Sequence, residues 1–170
     1  MNKDLMFSSK SDEWETPQEI FDDLNSVFNF TLDPCSTHSN HKCGKYYTMV
    51  DDGLSKSWKG ERVFVNPPYG RAIRHWAGKC FYESKHADIV ILMPARTDTS
   101  YQHSFIFKAN LLVFIKGRLK FVNRSLPFYR GDGNFKITAA PFPSQFVVFS
   151  RNITDEQKDV LGSYGKLIYL

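Results

Sequence analysis

The segment Asn66-Pro67-Pro68-Tyr69 contains the residues whose types and spacing have the clearest chemical meaning. Asn66 has a side-chain carbonyl oxygen and Pro67 has a backbone carbonyl oxygen, and the two prolines hold both acceptors rigidly. Two such acceptors match the two hydrogens of a planar exocyclic amino group, while Tyr69 offers a flat face to the attached ring. Accepting both hydrogens draws the nitrogen lone pair out of conjugation and makes it nucleophilic. We therefore predict that Asn66, Pro67, Pro68 and Tyr69 form a catalytic site for an amino group.

The predicted helices and strands place this segment at the carboxyl end of a buried strand. Short apolar runs predict strands, and apolar residues at helical spacing predict helices between them, the first of them capped by Thr16. The predicted strands are 30–32, 46–48, 62–65, 89–93, 111–115, 144–149 and 166–170, and the predicted helices are 16–28, 72–85, 101–109 and one capped by Thr154. This alternation is typical of an α/β fold with a mostly parallel sheet and helices on both faces. Ligands bind beyond the carboxyl ends of such strands, and Asp33 and Asn66 follow two of them.

Length and composition indicate a single globular domain. The chain has 170 residues, of which 42% are hydrophobic and 24% are charged, and such a chain buries a core without disulfides or metals. We predict one domain over residues 1–170, with a loose segment at 1–13. No apolar run is long enough to cross a membrane, and the first residues lack the pattern of a secretory signal. Three irregularly spaced cysteines favour a reducing compartment, so we expect a cytoplasmic location.

The net charge of +4 hides a basic stretch at residues 108–136, which holds seven basic residues and one acidic residue. Aromatic residues and glycines alternate with these cations, a pattern that suits contact with phosphates and stacking on bases. A solvated face explains the charge alone equally well. The predicted contacts with nucleic acid are Arg96, which follows another strand end, and Lys116, Arg118, Lys120, Arg124, Arg130 and Lys136. The segment 123–137 is the candidate insertion that makes such contacts.

The spacing Cys35-x-x-His38-x-x-His41-x-Cys43 offers four zinc ligands within nine residues. Structural zinc sites usually bring two ligand pairs separated by a longer element, and this run overlaps the strand end at Asp33. We therefore predict no metal.

Several motifs in one order resemble the small phage-type DNA N6-adenine methyltransferases, which use S-adenosylmethionine and carry an Asp/Asn-Pro-Pro-Tyr motif. The resemblance covers about residues 13–150. The motifs that carry it are Glu13-Trp14-Glu15-Thr16-Pro17, Leu32-Asp33-Pro34-Cys35-Ser36, Asp51-Asp52-Gly53-Leu54 with Trp58, Phe64-Val65-Asn66-Pro67-Pro68-Tyr69-Gly70, Leu92-Met93-Pro94-Ala95-Arg96-Thr97-Asp98-Thr99, Gly117-Arg118-Leu119-Lys120-Phe121 and Ala140-Pro141-Phe142-Pro143-Ser144.

The resemblance implies a reduced Rossmann-like methyltransferase fold, S-adenosylmethionine as cofactor, double-stranded DNA as partner and, for a phage protein, the host cytoplasm. Asp33 would bind the ammonium group of the cofactor, and Asp51 and Asp52 its ribose hydroxyls or adenine amino group. Pro34 and Cys35 would belong to the cofactor-binding turn at the end of the first strand, which departs from the usual glycine-rich form of that loop. The segment with Trp14, Thr16 and Pro17 would line the methionine pocket. Asn66 and the Pro67 carbonyl would bind N6 of a flipped adenine, on which Tyr69 would stack.

The motif also serves enzymes that methylate RNA bases, cytosine N4 or a protein glutamine amide. The basic aromatic stretch favours nucleic acid over protein, and the resemblance favours adenine in DNA. A binding module that has lost the cofactor is a further alternative, although such a module needs neither Asn66 nor Asp33.

Only 32 residues separate Asp33 from Asn66. A full half of a doubly wound sheet needs more chain, since each βα unit takes roughly 20 residues or more. The spacing therefore predicts a shortened core in which at least one early strand or helix is missing. Specificity would come from the insertion 123–137 or from a second subunit.

Overall fold

A computed structural model gives the structure of residues 14–123 and 136–170. The helices are α1 (Gln18–Phe28), α2 (Ile73–Glu83), α3 (Ser100–Ser104) and α4 (Asp155–Tyr164), with a 3-10 helix at Ile106–Lys108. The strands are β1 (Leu32–Asp33), β2 (Lys45–Tyr46), β3 (Arg62–Val65), β4 (Asp88–Pro94), β5 (Leu111–Ile115), β6 (Lys120–Asn123), β7 (Lys136–Ala139), β8 (Ser144–Phe149) and β9 (Gly165–Tyr169). In the described parts of the chain, no helix has the length and apolar character needed to cross a membrane.

Seven strands form one mixed sheet in the order β2-β1-β3-β4-β8-β5-β9. Strands β1 to β5 all run in one direction, as the sequence predicts for a mostly parallel sheet. β8 is inserted in the opposite direction between β4 and β5, and β9 pairs antiparallel with β5 at the edge. β6 and β7 form a separate antiparallel pair. The fold is therefore α/β with a mixed sheet.

The centre of the sheet forms the hydrophobic core. All six residues of β8 are buried, and so are the six residues of β4 that follow Asp88, as expected of strands covered on both faces. α1 packs with α4, and α2 packs with α3 and the 3-10 helix. Phe21 of α1 contacts Phe64 of β3, with ring centroids 5.3 Å apart. This contact fixes α1 close to the strand that ends at Asn66.

The order of the strands in the sheet reverses between β1 and β3. From β1 the chain passes outward to β2 and then returns to β3 on the other side of β1. Residues 34–61 contain only β2 and turns, which is the shortened connection that the spacing predicts. The carboxyl ends of β1 and β3 are thus neighbours at a topological switch point, where open α/β sheets bind ligands.

The sequence-based prediction that Thr16 caps the first helix is wrong. α1 has Pro17 at its N-cap and no side-chain capping bond, because the Thr16 hydroxyl accepts a hydrogen bond from Asn66 instead. The prediction for Thr154 is correct, since Thr154 and Gln157 form a reciprocal capping box at α4. The predicted helix 101–109 is divided into α3 and the 3-10 helix, and the strands β6 and β7 were not predicted.

Candidate active site

A cavity of about 400 Å³ lies at the carboxyl ends of β1 and β3. The carboxyl end of β1 and the segment after it contribute Asp33, Pro34 and Cys35 among other lining residues, and the segment after β3 contributes Asn66, Pro67 and Pro68. The two strand ends that the sequence predicts to carry the chemistry therefore share one cavity.

The side chain of Asn66 is held in a single orientation. Its amide nitrogen donates to the backbone carbonyl of Trp14 at 2.5 Å and to the Thr16 hydroxyl at 2.9 Å. Its carbonyl oxygen accepts from the Tyr69 hydroxyl at 2.8 Å. Because a backbone carbonyl only accepts hydrogen bonds, the amide nitrogen must face Trp14 and the amide oxygen must face Tyr69.

Tyr69 lies in the core beside Asn66 and is 4% exposed. Its hydroxyl is also 3.2 Å from the carbonyl oxygen of Leu92, and its ring packs edge-to-face against Phe121 and Phe142. Burial raises the pKa of the phenol well above its ordinary value of 10.0, so the group stays a protonated donor. Tyr69 does not line the cavity in this arrangement, and stacking of a base on its ring stays a prediction.

Asp33 is a buried carboxylate in the wall of the cavity, with 4% of its surface exposed. One oxygen accepts from the backbone N–H of Cys35 at 3.3 Å, and the other accepts from that of Lys42 at 2.9 Å. Burial raises the pKa of Asp33 above its ordinary value, and these two hydrogen bonds offset part of the rise. A buried carboxylate that lines a cavity is suited to bind a cation.

The turn with Asp51 and Asp52 brings only one of its two carboxylates to the cavity. Asp52 lines the cavity and has a left-handed backbone with φ of 55°. Asp51 is exposed, and one of its oxygens accepts from the backbone N–H and the hydroxyl of Thr48 at 2.8 and 2.7 Å. The hydrogen bond from the Thr48 backbone N–H lowers the pKa of Asp51. As placed here, Asp51 orders the turn instead of lining the cavity.

Gly53 explains how the turn of Pro34 and Cys35 forms a tight wall although the turn itself contains no glycine. A Cβ atom at Gly53 would lie 2.0 Å from the backbone oxygen of Pro34, so only glycine permits this approach. Sequence reasoning gave Gly53 no separate role, although the pair Asp52-Gly53 was a signal for a turn.

Further lining residues include side chains to which sequence reasoning gave no role. Trp14 and Thr16 line the cavity as predicted, whereas Pro17 is not among the lining residues. The additional side chains include Glu15, Lys42, Thr48, Met49, Leu54 and Trp76. Their positions depend on long-range packing, since they lie in loops and on α2.

Four of the predicted DNA-contacting cations are exposed, and three of them follow the carboxyl ends of strands in the main sheet. Arg96 follows the carboxyl end of β4, and Lys116 and Arg118 follow that of β5. Since β4 and β5 run parallel to β1 and β3, these three cations and the cavity lie at the same end of the strands, the carboxyl end. Lys120 begins β6. Arg124 and Arg130 lie outside the described residues, as do most of the insertion 123–137, the segment 1–13 and the side chain of Lys136.

The candidate zinc ligands have other contacts. His38 Nδ1 lies 2.9 Å from the Tyr46 hydroxyl, and the His41 ring stacks on the Tyr46 ring at 4.0 Å. Within residues 14–123 and 136–170, no three His, Cys, Asp or Glu side chains are grouped so that they could hold a metal ion.

Comparison with known families identifies the family of the chain. The family described as DNA N-6-adenine-methyltransferase (Dam) matches residues 5–167. The chain belongs to this Dam family. It is similar to a DNA N-6-adenine-methyltransferase of Haemophilus phage HP1 (strain HP1c1), with 27% identity over 127 residues that cover 72% of this chain and 73% of the phage protein. It is also similar to a DNA N-6-adenine-methyltransferase of Escherichia phage T1, with 30% identity over 93 residues that cover 53% of this chain and 39% of the phage protein.

Membership of the Dam family confirms the resemblance drawn from the motifs. The match covers nearly the whole chain, and it includes both strand ends that line the cavity. The Dam-family chain is therefore an enzyme of the class that methylates the N6 amino group of adenine in DNA.

Proposed function

We propose that this Dam-family chain transfers a methyl group from S-adenosylmethionine to N6 of an adenine that has left the stack of double-stranded DNA. The observation that carries the proposal is the shared cavity, in which the buried carboxylate of Asp33 and the oriented amide of Asn66 occur together. One group suits a cationic ligand and the other suits an amine. N6 of a paired adenine is otherwise out of reach within the duplex.

The lining of the cavity fits S-adenosylmethionine. Asp33 is the residue we assign to the cofactor's ammonium group, and Asp52 is the carboxylate available to its hydroxyls. Leu54, Phe64 and Trp76 supply apolar surface for a flat ring. When bound, the cofactor supplies an electrophilic methyl group. Trp14 and Thr16 are assigned to the methionine end of the cofactor. Pro17 and Asp51 are assigned an indirect role, in which they order the segments that line the cavity.

Asn66 and Pro67 are assigned to the target amine. An amide oxygen has two lone pairs, and the Tyr69 hydroxyl occupies one of them. The second lone pair accepts one N6 hydrogen, and the Pro67 carbonyl accepts the other, while Pro67 and Pro68 keep both acceptors in place. Catalysis then rests on positioning and on withdrawal of the nitrogen lone pair from the ring, with no covalent enzyme intermediate.

We interpret the mixed sheet as a reduced Rossmann-like methyltransferase core with helices on both faces. The switch point between β1 and β3 supports this interpretation, because the cavity lies where such folds bind nucleotides. The short stretch 34–61, with β2 as its only strand, accounts for the reduction.

The exposed side chains of Arg118 and Lys120 are proposed to contact DNA phosphates. Log affinity for DNA falls as log salt concentration rises, and we expect Arg118→Ala and Lys120→Ala each to make this slope shallower by about 1. Fluorescence anisotropy with a DNA duplex at several salt concentrations measures this slope. Lys59→Ala is the matched control, since Lys59 is exposed before the amino end of β3, at the opposite edge. Unchanged slopes in both variants would remove these residues from the interface.

A methylation assay tests the proposed function directly. Purified protein is incubated with labelled S-adenosylmethionine and duplex DNA that lacks N6-methyladenine, and the nucleosides are then resolved by mass spectrometry. We expect label in N6-methyladenine. Label in N4-methylcytosine, or label transferred only to RNA or protein when these are offered in parallel, would assign the site to another amino group.

A further inference from the structure

The amide nitrogen of Asn66 joins the end of β3 to the segment 14–16, which is distant in sequence. Its two partners, the Trp14 carbonyl and the Thr16 hydroxyl, lie 52 and 50 residues away. Between them, Glu15 pairs with Val122 of β6 through an antiparallel bridge and a backbone hydrogen bond of 3.0 Å. The strand-like segment 14–16 is thus held by β6 on one side, and it presents two acceptors to Asn66.

We propose that Trp14 and Thr16 are positioning residues that fix the direction of the Asn66 amide, so that an amide, and not a carboxylate, is required at position 66. The inference rests on the proposed function, because the fixed direction keeps the carbonyl oxygen of Asn66 toward Tyr69 and the target amine. It goes beyond the motif, which in related amino-methyltransferases has either Asp or Asn.

The argument depends on which groups can donate a hydrogen. The Trp14 carbonyl only accepts, and it lies 2.5 Å from the nitrogen of the Asn66 amide. An ionised aspartate at this position would place a second acceptor oxygen against that carbonyl, and the two oxygens would repel each other. Thr16 is 2% exposed, and its hydroxyl can turn to donate. The Trp14 carbonyl is therefore the group that excludes the carboxylate.

A protonated aspartate at position 66 would not be repelled by the Trp14 carbonyl. Its O–H can donate to the Trp14 carbonyl, and its carbonyl oxygen can then take the place of the Asn66 amide oxygen. Acidification should therefore restore part of the activity of Asn66→Asp. The other ionisable groups that line the cavity or contact the Asn66 side chain are common to the variant and the wild type. They are Glu15, Asp33, Cys35, Lys42, Asp52 and Tyr69. The ratio of the two rates at saturating cofactor and DNA cancels their shared titration.

The first test compares three threonine variants. Thr16→Val keeps the shape and loses the acceptor, and we expect kcat to fall about tenfold with KM values for cofactor and DNA within about twofold. Thr16→Ser keeps the hydroxyl and is expected to restore most of kcat. Thr31→Val is the control, because the Thr31 hydroxyl donates to Glu61 before the start of β1. An unchanged kcat in Thr16→Val would overturn the proposal.

The second test measures the rate ratio of Asn66→Asp to wild type between neutral and mildly acidic pH. We expect a low ratio at neutral pH that rises as the pH falls. A ratio near one at neutral pH, or a low ratio that does not change with pH, would overturn the requirement for an amide.

A third measurement separates this inference from the proposed function. The side-chain amide signals of Asn66 in a ¹H–¹⁵N NMR spectrum report its hydrogen bonds without any turnover. We expect them to shift in Thr16→Val and to stay in place in Thr16→Ser and Thr31→Val. If the wild type yields no N6-methyladenine, the proposed function fails, yet these signals still decide whether Thr16 holds the amide. Unshifted signals in Thr16→Val would refute the positioning role.

Discussion

The variant Asn66→Ala is expected to lose methyl transfer by about 100- to 1000-fold, the range found when one well-placed polar group is removed from an active site. The substitution removes the acceptor assigned to N6 and leaves three former partners of the amide without it: the Trp14 carbonyl, the Thr16 hydroxyl and the Tyr69 hydroxyl. Single-turnover kinetics on unmodified duplex DNA measure the loss, because they report the chemical step without product release.

Cofactor binding distinguishes a lost catalytic group from a collapsed site. Asp33 is positioned by the backbone of Cys35 and Lys42 and has no hydrogen bond to Asn66 among the described contacts. We therefore expect Asn66→Ala to bind S-adenosylmethionine with an affinity within a few-fold of wild type in calorimetry. Asn110→Ala is a matched control. Asn110 lies just before β5, at the end of the strands opposite the cavity, and its side chain accepts a hydrogen bond from the backbone N–H of Ser150. Methylation near the wild-type rate in Asn66→Ala would reject the assignment of the site.

The local signals in the sequence predicted the parts of the site that short segments determine. Two consecutive prolines after an apolar strand leave few alternatives to a strand end, so the place of Asn66 followed from its neighbours. The apolar runs of β4, β5 and β8 were predicted for the same reason, because strands buried on both faces need no polar alternation.

Long-range contacts explain what the sequence could not predict. Thr16 before Pro17 has the pattern of a helix cap, and only the fold brings Asn66 to its hydroxyl. The choice between Asp51 and Asp52 depends on a left-handed backbone and on the contact of Gly53 with Pro34. β6 and β7 are short strands that pair with each other and lie outside the main sheet. In each case the deciding partner is distant or the deciding feature is a backbone angle, and neither appears in residue spacing.

The buried carboxylate of Asp33 also makes a prediction about pH. Its pKa is raised above the ordinary value of 3.8, chiefly because burial disfavours the charged form. A raised pKa in the folded state means that this group stabilises the fold most at low pH and that the contribution is lost as pH rises through the folded pKa. At neutral pH the ionised group therefore costs stability, because its backbone hydrogen bonds and the charge of Lys42 offset only part of the effect of burial. A bound ammonium group offsets that cost.

The variant Asp33→Asn is accordingly expected to weaken cofactor binding by about 100- to 1000-fold, the range for removing one partner of a buried charge pair. Wild-type affinity for S-adenosylmethionine should fall on acidification, beginning above the pH at which an ordinary aspartate titrates, because only the ionised carboxylate attracts the ammonium group. The same pH dependence should be absent from Asp33→Asn. Calorimetric titrations at several pH values measure both effects.

Stability measurements complete the argument for Asp33, because a damaged fold would also weaken binding. Removing the buried charge should leave the denaturation midpoint of the cofactor-free protein at neutral pH unchanged or higher. The one interaction that the asparagine is expected to lose is the 3.3 Å hydrogen bond from the backbone N–H of Cys35. Asp88→Asn, an exposed carboxylate at the first residue of β4, is expected to change neither affinity nor its pH dependence. An Asp33→Asn variant that stays folded and binds the cofactor as tightly as wild type would place the ammonium group elsewhere in the cavity.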